Sequence, residues 1–124
     1  MVRDTALVVL LALALLWLHP AVAEGGHPER WYQRQWCEAR GGQTEFVLAD
    51  KTRVDCLTGS HAVEVDRANK WPEAIGQSLH YAMHTGKKAG ILLIVGPDEQ
   101  LHLERLNAVI RHYGLPIDVS VVAK

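Results

Sequence analysis

The chain has 124 residues, with 13 Lys and Arg against 14 Asp and Glu and a formal net charge of −1. That balance excludes the strong positive field of proteins that coat a polyanion, so any nucleic-acid contact has to be local. The length suits one domain with its own core, and the 48% apolar content is inflated by the first residues rather than spread as membrane character.

Ala6–Leu18 is an unbroken apolar run behind a short start holding Arg3, and His19-Pro20 and Ala21-Val22-Ala23 follow it. A membrane span needs roughly 18 or more apolar residues. The segment therefore reads as a signal peptide cleaved after Ala23, with an uncleaved anchor as the alternative. Cleavage leaves a single domain over 24–124, exported to the periplasm or beyond the cell, with no further membrane attachment. Cys37 and Cys56 both lie in the exported part, where oxidation is permitted; whether they pair depends on a geometry the sequence leaves open. Without a Cys-x-x-Cys spacing, a thiolate metal site is disfavoured.

Glu24–Pro28 is a short polar tail, and Glu29–Arg40 has helical composition until Gly41-Gly42 stops it. Thr44–Leu48 reads as a strand and Ala49-Asp50-Lys51 as a turn. Thr52–Leu57 and Ala62–Arg67 then form a hairpin around Gly59-Ser60, a two-residue loop whose leading Gly suits a type II′ turn. That loop sets Thr58 opposite His61, Asp55 opposite Glu64 and Arg53 opposite Asp66. Alternation places Arg53, Asp55, Glu64 and Asp66 on one face and Val54, Cys56, Val63 and Val65 on the other.

A helix is expected from Lys70 to Thr85, with Pro72 in its first turn and Gly86 closing it. Ile75, Leu79, Ala82 and Met83 make its apolar stripe; Lys70, Glu73, Gln77, Tyr81 and His84 make the polar one. Gly90–Val95 is a continuous apolar strand of the kind covered on both faces. Glu99–Tyr113 is a further amphipathic helix ended by Gly114, and Ile117–Val122 is the last strand. The order α-β-β-β-α-β-α-β implies an α/β sandwich whose mixed sheet begins as an antiparallel meander and continues through crossover helices.

Like charges directly opposite each other on a hairpin are destabilising, and a divalent cation reverses that sign. Paired carboxylates suit a hard ion such as Mg²⁺, which takes one or two of them with water and phosphate oxygens. The plain alternative is a solvated hairpin face with an exposed Arg53–Asp66 ion pair. His80 and His84 share the i, i+4 spacing but lack the Glu of the zinc-protease helix motif, so they read as surface residues. Trp31, Trp36 and Trp71 would stack on bases if nucleic acid binds, and otherwise serve as core or rim. No Gly-rich phosphate loop is present, and no Ser or Cys has a nucleophile-elbow context.

The placement of Glu38 on the first helix, Asp55 on the second strand, Glu64-Val65-Asp66 on the third and Gln77-x-x-x-Tyr81 on the next helix resembles the PD-(D/E)xK nuclease superfamily. Its RecB-like and Holliday-junction-resolvase-like branches are the nearest, and the resemblance spans roughly Trp31 to Val122. It implies a restriction-endonuclease-like fold and Mg²⁺- or Mn²⁺-dependent hydrolysis of nucleic-acid phosphodiester bonds. Glu38, Asp55 and Glu64 would be metal ligands, with Gln77 and Tyr81 auxiliary. The family's Lys is replaced by Asp66, and a carboxylate cannot do the work of an ammonium beside the attacking water. Lys70 is the natural substitute, since a long side chain can reach the same point from a neighbouring position. Alternatively Asp66 is an extra ligand, or the site has lost its chemistry. Lys51, Arg53, Arg67, Lys70, Lys87 and Lys88 would supply a local basic patch for nucleic acid, although most such patches are solvated surface. The rival readings are a non-catalytic binding or accessory module on the same scaffold and an exported structural domain without a ligand.

Overall fold

The computed structural model describes residues 26–124, so the leader expected over 1–23 lies outside the described residues. Helix α1 covers Glu29–Glu38, followed by strands β1 (Gln43–Val47), β2 (Arg53–Leu57) and β3 (His61–Arg67). A short 3₁₀ turn, Ala68–Lys70, leads into helix α2 (Trp71–Thr85), then strand β4 (Lys88–Val95), helix α3 (Gln100–Tyr113) and strand β5 (Ile117–Ala123). The sheet order is β1-β2-β3-β4-β5. β1, β2 and β3 pair antiparallel, while β3, β4 and β5 run parallel. This is the α/β architecture with a mixed five-stranded sheet that the element order implies. No helix among the described residues is long and apolar enough to cross a membrane.

Local chemistry explains the boundaries of α2. Pro72 sits in its first turn, and Gly86, with φ 68°, closes it by donating its N–H to the Ala82 carbonyl at 2.9 Å. A left-handed closing residue is where Gly costs least. β4 then divides the core in two by alternation. Ile91, Leu93 and Val95 pack with Ala74 of α2 and Leu106 of α3, whereas Leu92 and Ile94 pack with Tyr32 and Cys37 of α1. Thus α1 covers one face of the sheet, and α2 with α3 covers the other. Burying each Leu or Ile is worth roughly 1.5–3 kcal/mol relative to exposure, and this strand supplies most of that gain.

Next to the turn the hairpin register is the one the two-residue loop dictates, but the ladder stops short of the expected Asp55–Glu64 and Arg53–Asp66 pairs. Cys56 pairs with Val63 and Leu57 with Ala62, and the Thr58 N–H meets the His61 carbonyl at 2.9 Å. The facing of β2 differs from simple alternation. Val54 packs with Leu48, Ala62 and Tyr81, but Cys56 packs on the opposite side with Cys37, Val63 and Val65. The cause lies at Glu45 and Asp55: the β1–β2 ladder pairs Thr44 with Cys56 and Phe46 with Val54 but skips the position between, where Glu45 has φ 54°. Such an irregularity re-aims side chains locally, as bulges beside functional sites do.

Three further expectations are corrected. Glu64 and Asp66 are only 5% and 6% exposed, so their face is buried rather than solvated. Arg53 is exposed beside Arg30 and Arg34, and the Arg53–Asp66 ion pair is absent among the described residues. On α2, Tyr81 is buried while Met83 is exposed, because the helix turns its Ala74, Ser78 and Tyr81 side toward the sheet.

Cys37 and Cys56 form a disulfide, with a Cα–Cα separation of 5.7 Å, that staples α1 to β2. Gly42 completes this junction, since a Cβ there would lie 2.7 Å and 2.8 Å from the two sulfurs.

Candidate active site

The site begins with β2 and β3, which place Asp55 across from Glu64, and with α2, which lies over Glu64. Asp55 Oδ2 accepts the Val65 N–H at 2.8 Å, so its side chain stands where a ladder carbonyl would otherwise be. The Asp55 carboxyl and the Tyr81 hydroxyl both lie close enough to Glu64 to act on its charge. Gln77 lies one helical turn before Tyr81 on the same side of α2. With its amide nitrogen facing the carboxylate, the orientation that matches donor to acceptor, Gln77 also donates to both Glu64 oxygens. From α1, Gln33 donates to the Asp55 backbone carbonyl at 2.8 Å and to Glu45 Oε1 at 3.2 Å. Asp66 accepts the Arg67 N–H at 3.1 Å.

Burial and mutual repulsion set the charge state. Desolvation raises both Asp55 and Glu64 well above the ordinary carboxylate range, and Glu64 is raised further by the neighbouring Asp55. Asp66 is pushed up to about 6, first by burial and then by Glu29, with Lys70 opposing the shift. Tyr81 is raised too, by burial and by the Glu64 and Asp55 charges. Like charges in contact cannot both ionise cheaply, so this setting favours a proton on one of the two carboxyls.

Asp55, Glu64, Asp66, Gln77 and Tyr81 are therefore brought together. Lys70 is exposed at the rim, near enough to Asp66 to act on its charge. Glu38 is not among them: it is exposed at the far end of α1, and the α1 acid acting on Asp55 and Asp66 is Glu29. The signal for this was available, because Glu29, Gln33 and Cys37 are spaced i, i+4, i+8 and share one helix face. Once Cys37 is bound to Cys56, that face runs along the sheet and Glu38 turns off it.

The oxygen-only donor set fits a hard divalent ion held by Asp55 and Glu64 and completed by water or phosphate. It is not a closed cage. Among the described residues, the one trio of His, Cys, Asp or Glu with ligand atoms all within 4.8 Å of one another is Asp50, His80 and His84. The basic residues do not gather into one patch. Lys87 Nζ meets the Gly59 carbonyl at 2.8 Å at the hairpin turn, while Arg67 at the other end of β3 binds the His27 carbonyl at 2.7 Å. Those strand ends are roughly 20 Å apart at about 3.3 Å per residue.

A second polar group borders a cavity of about 600 Å³ lined in part by Trp36, Arg40 and Gly90. Ser60 Oγ lies 2.7 Å from His61 Nδ1, and His61 Nε2 lies 2.7 Å from Asp118 Oδ2. The order resembles a nucleophile, base and orienting acid. However, the N–H groups of Ser60 and His61 both donate to Thr58 Oγ1, so the donors nearest the hydroxyl are not free to hold an oxyanion.

No known protein family, curated protein or solved structure matches this chain. Fold and site together define an α/β protein with a buried carboxylate cluster whose residues are ordered by a tyrosine and two glutamines.

Proposed function

We propose that this chain is an exported nuclease-like protein of the restriction-endonuclease-like fold, acting on nucleic-acid phosphodiester bonds with Mg²⁺ or Mn²⁺. The observation that carries the reading is the close Asp55–Glu64 pair, with Glu64 buried, Asp55 partly so, and Gln77 and Tyr81 of α2 beside Glu64. A meander followed by a parallel strand agrees with the fold implied by the resemblance. Burying two acids in contact is costly unless something else is gained, which makes a cation-binding role the economical explanation. A bound ion would supply Lewis-acid stabilisation of phosphoryl charge. The protein's own residues have distinct tasks. The Val65 N–H fixes Asp55, Gln77 and Tyr81 lie against Glu64, and Lys70 offers a cation near Asp66 for placing water or substrate oxygen.

The second reading is a non-catalytic binding module on the same scaffold, favoured by one observation: buried Asp66 stands where the family places its ammonium. A nuclease assay in Mg²⁺, Mn²⁺ and EDTA separates the two. The enzyme reading expects wild type to cleave only with metal, Asp55→Ala to abolish cleavage, and Lys70→Ala to lower it by about 10² to 10⁴. If wild type never cleaves but Asp66→Lys does, the module reading holds. Cleavage by Asp55→Ala at the wild-type rate defeats the site.

A further inference from the structure

We infer that Asp50, His80 and His84 form a second metal site, for a borderline transition ion such as Zn²⁺, joining the β1–β2 turn to α2. The inference does not depend on the nuclease reading. His80 and His84 are one turn apart on α2, so both imidazoles leave the same side of the helix. The turn supplies the third ligand: Asp50 Oδ2 lies 2.8 Å from His80 Nε2 and 3.5 Å from His84 Nε2. The carboxylate is already oriented. Its other oxygen, Oδ1, accepts the Thr52 N–H at 3.0 Å and the Thr52 hydroxyl at 2.6 Å, leaving Oδ2 for the two histidines.

Two features favour an ion over a simple hydrogen-bonded cluster. Both Nε2 atoms converge on one oxygen, and an ion at their centre would satisfy both at once. Ligand-orienting hydrogen bonds like those from Thr52 are also what metal sites add around their ligands. Two imidazoles and one carboxylate suit Zn²⁺ and its neighbours, whereas Mg²⁺ and Ca²⁺ prefer all-oxygen sets. The three ligand side chains are each about one third exposed, at 36%, 31% and 33% for His80, His84 and Asp50. That leaves a fourth position open to water, the arrangement of zinc sites with three protein ligands.

Calorimetric titration of the full chain with Zn²⁺ near neutral pH, with the disulfide intact, tests the inference. One ion per chain is expected, with His80 and His84 showing the largest changes in imidazole NMR signals. The His80→Ala/His84→Ala double variant should lose this binding, and Thr52→Ala should weaken it by about 10- to 100-fold through loss of ligand orientation. Asp55→Ala should bind Zn²⁺ as wild type does, which separates this site from the carboxylate pair. Should the double variant misfold, His80→Gln with a wild-type circular dichroism spectrum serves instead and should bind at least about 10-fold more weakly. Undiminished binding in a folded His80→Gln chain, or no Zn²⁺ binding by wild type, would overturn the site.

Discussion

β4 and the β2–β3 hairpin solve the problem of being buried in opposite ways. After its exposed first residue, Lys88, β4 carries no polar side chain, with Ile91, Leu92, Leu93 and Ile94 all fully buried and divided between two helical layers. The hairpin buries Glu64 and Asp66 beside its valines, breaks its ladder at Asp55, and is held by a disulfide and side-chain hydrogen bonds. The difference shows where stability is generated and where it is consumed. A strand that only packs needs no staple, whereas one that carries repelling acids does.

The largest expected effect strikes the packing half. Leu93→Ala should destabilise the domain by about 2–5 kcal/mol through lost transfer energy and a residual cavity. Its denaturation midpoint should fall with no change in the affinity of the folded protein for Mn²⁺. A larger loss of metal affinity than of stability would mean that the two halves are not separable in this way.

Next comes the staple. The disulfide closes a sequence separation of 19 residues, and loops near 15 residues yield about 3 kcal/mol in the chain-entropy account. Urea denaturation of reduced against oxidised protein should show a loss of that order. Gly42→Ala should weaken the same junction by crowding both sulfurs. An equal midpoint for reduced and oxidised protein would remove the staple from the comparison.

The hairpin's register beside the turn, and with it the nearness of Asp55 to Glu64, is legible in the sequence because a two-residue Gly59-Ser60 loop admits few registers. The helices are legible because Pro72, Gly86 and Gly114 punctuate apolar stripes. The skipped pairing at Glu45 is not, since a Glu at positive φ announces nothing; the preference for such backbone belongs to Gly and Asn. Asp50 beside His80 and His84 is equally hidden. A turn and a helix thirty residues apart meet only through the packing of α2 on the sheet. Glu29 rather than Glu38 faces the carboxylates because the Cys37–Cys56 bond decides which of the helix faces the spacing allows is turned to the sheet, and the sequence permits that bond without requiring it.

pH offers a finer test. An acid with a raised folded pKa contributes stability that is whole below its unfolded value and is lost as pH rises through the folded one. For Asp66 the loss runs from 3.8 to about 6; for Asp55 and Glu64 it begins at 3.8 and 4.5, and Glu64 carries it furthest upward. Asp50 has the opposite sign, held at about 2 first by the Thr52 hydroxyl, so its contribution fades only in stronger acid. Without metal, melting temperature should therefore decline as pH rises from mildly acidic to mildly alkaline. A flat profile would mean that the buried acids pay no charging penalty.

The smallest effect is the most discriminating, because its sign depends on what occupies the site. Glu64→Gln keeps the shape of the side chain while removing its charge, so without metal it should flatten the pH profile and raise stability at alkaline pH. A gain of about 1 kcal/mol would appear as about 4–8 °C in a domain of this size. Divalent ions should reverse the ranking. At about 100 times its dissociation constant, Mn²⁺ should stabilise wild type by about 2.7 kcal/mol by mass action. Glu64→Gln, having lost a ligand, should gain far less at the same concentration. The two melting curves should therefore exchange order as Mn²⁺ is added at alkaline pH. If Glu64→Gln is the less stable protein with and without metal, the carboxylate serves packing and hydrogen bonding alone, and the hairpin is simply a more polar version of β4.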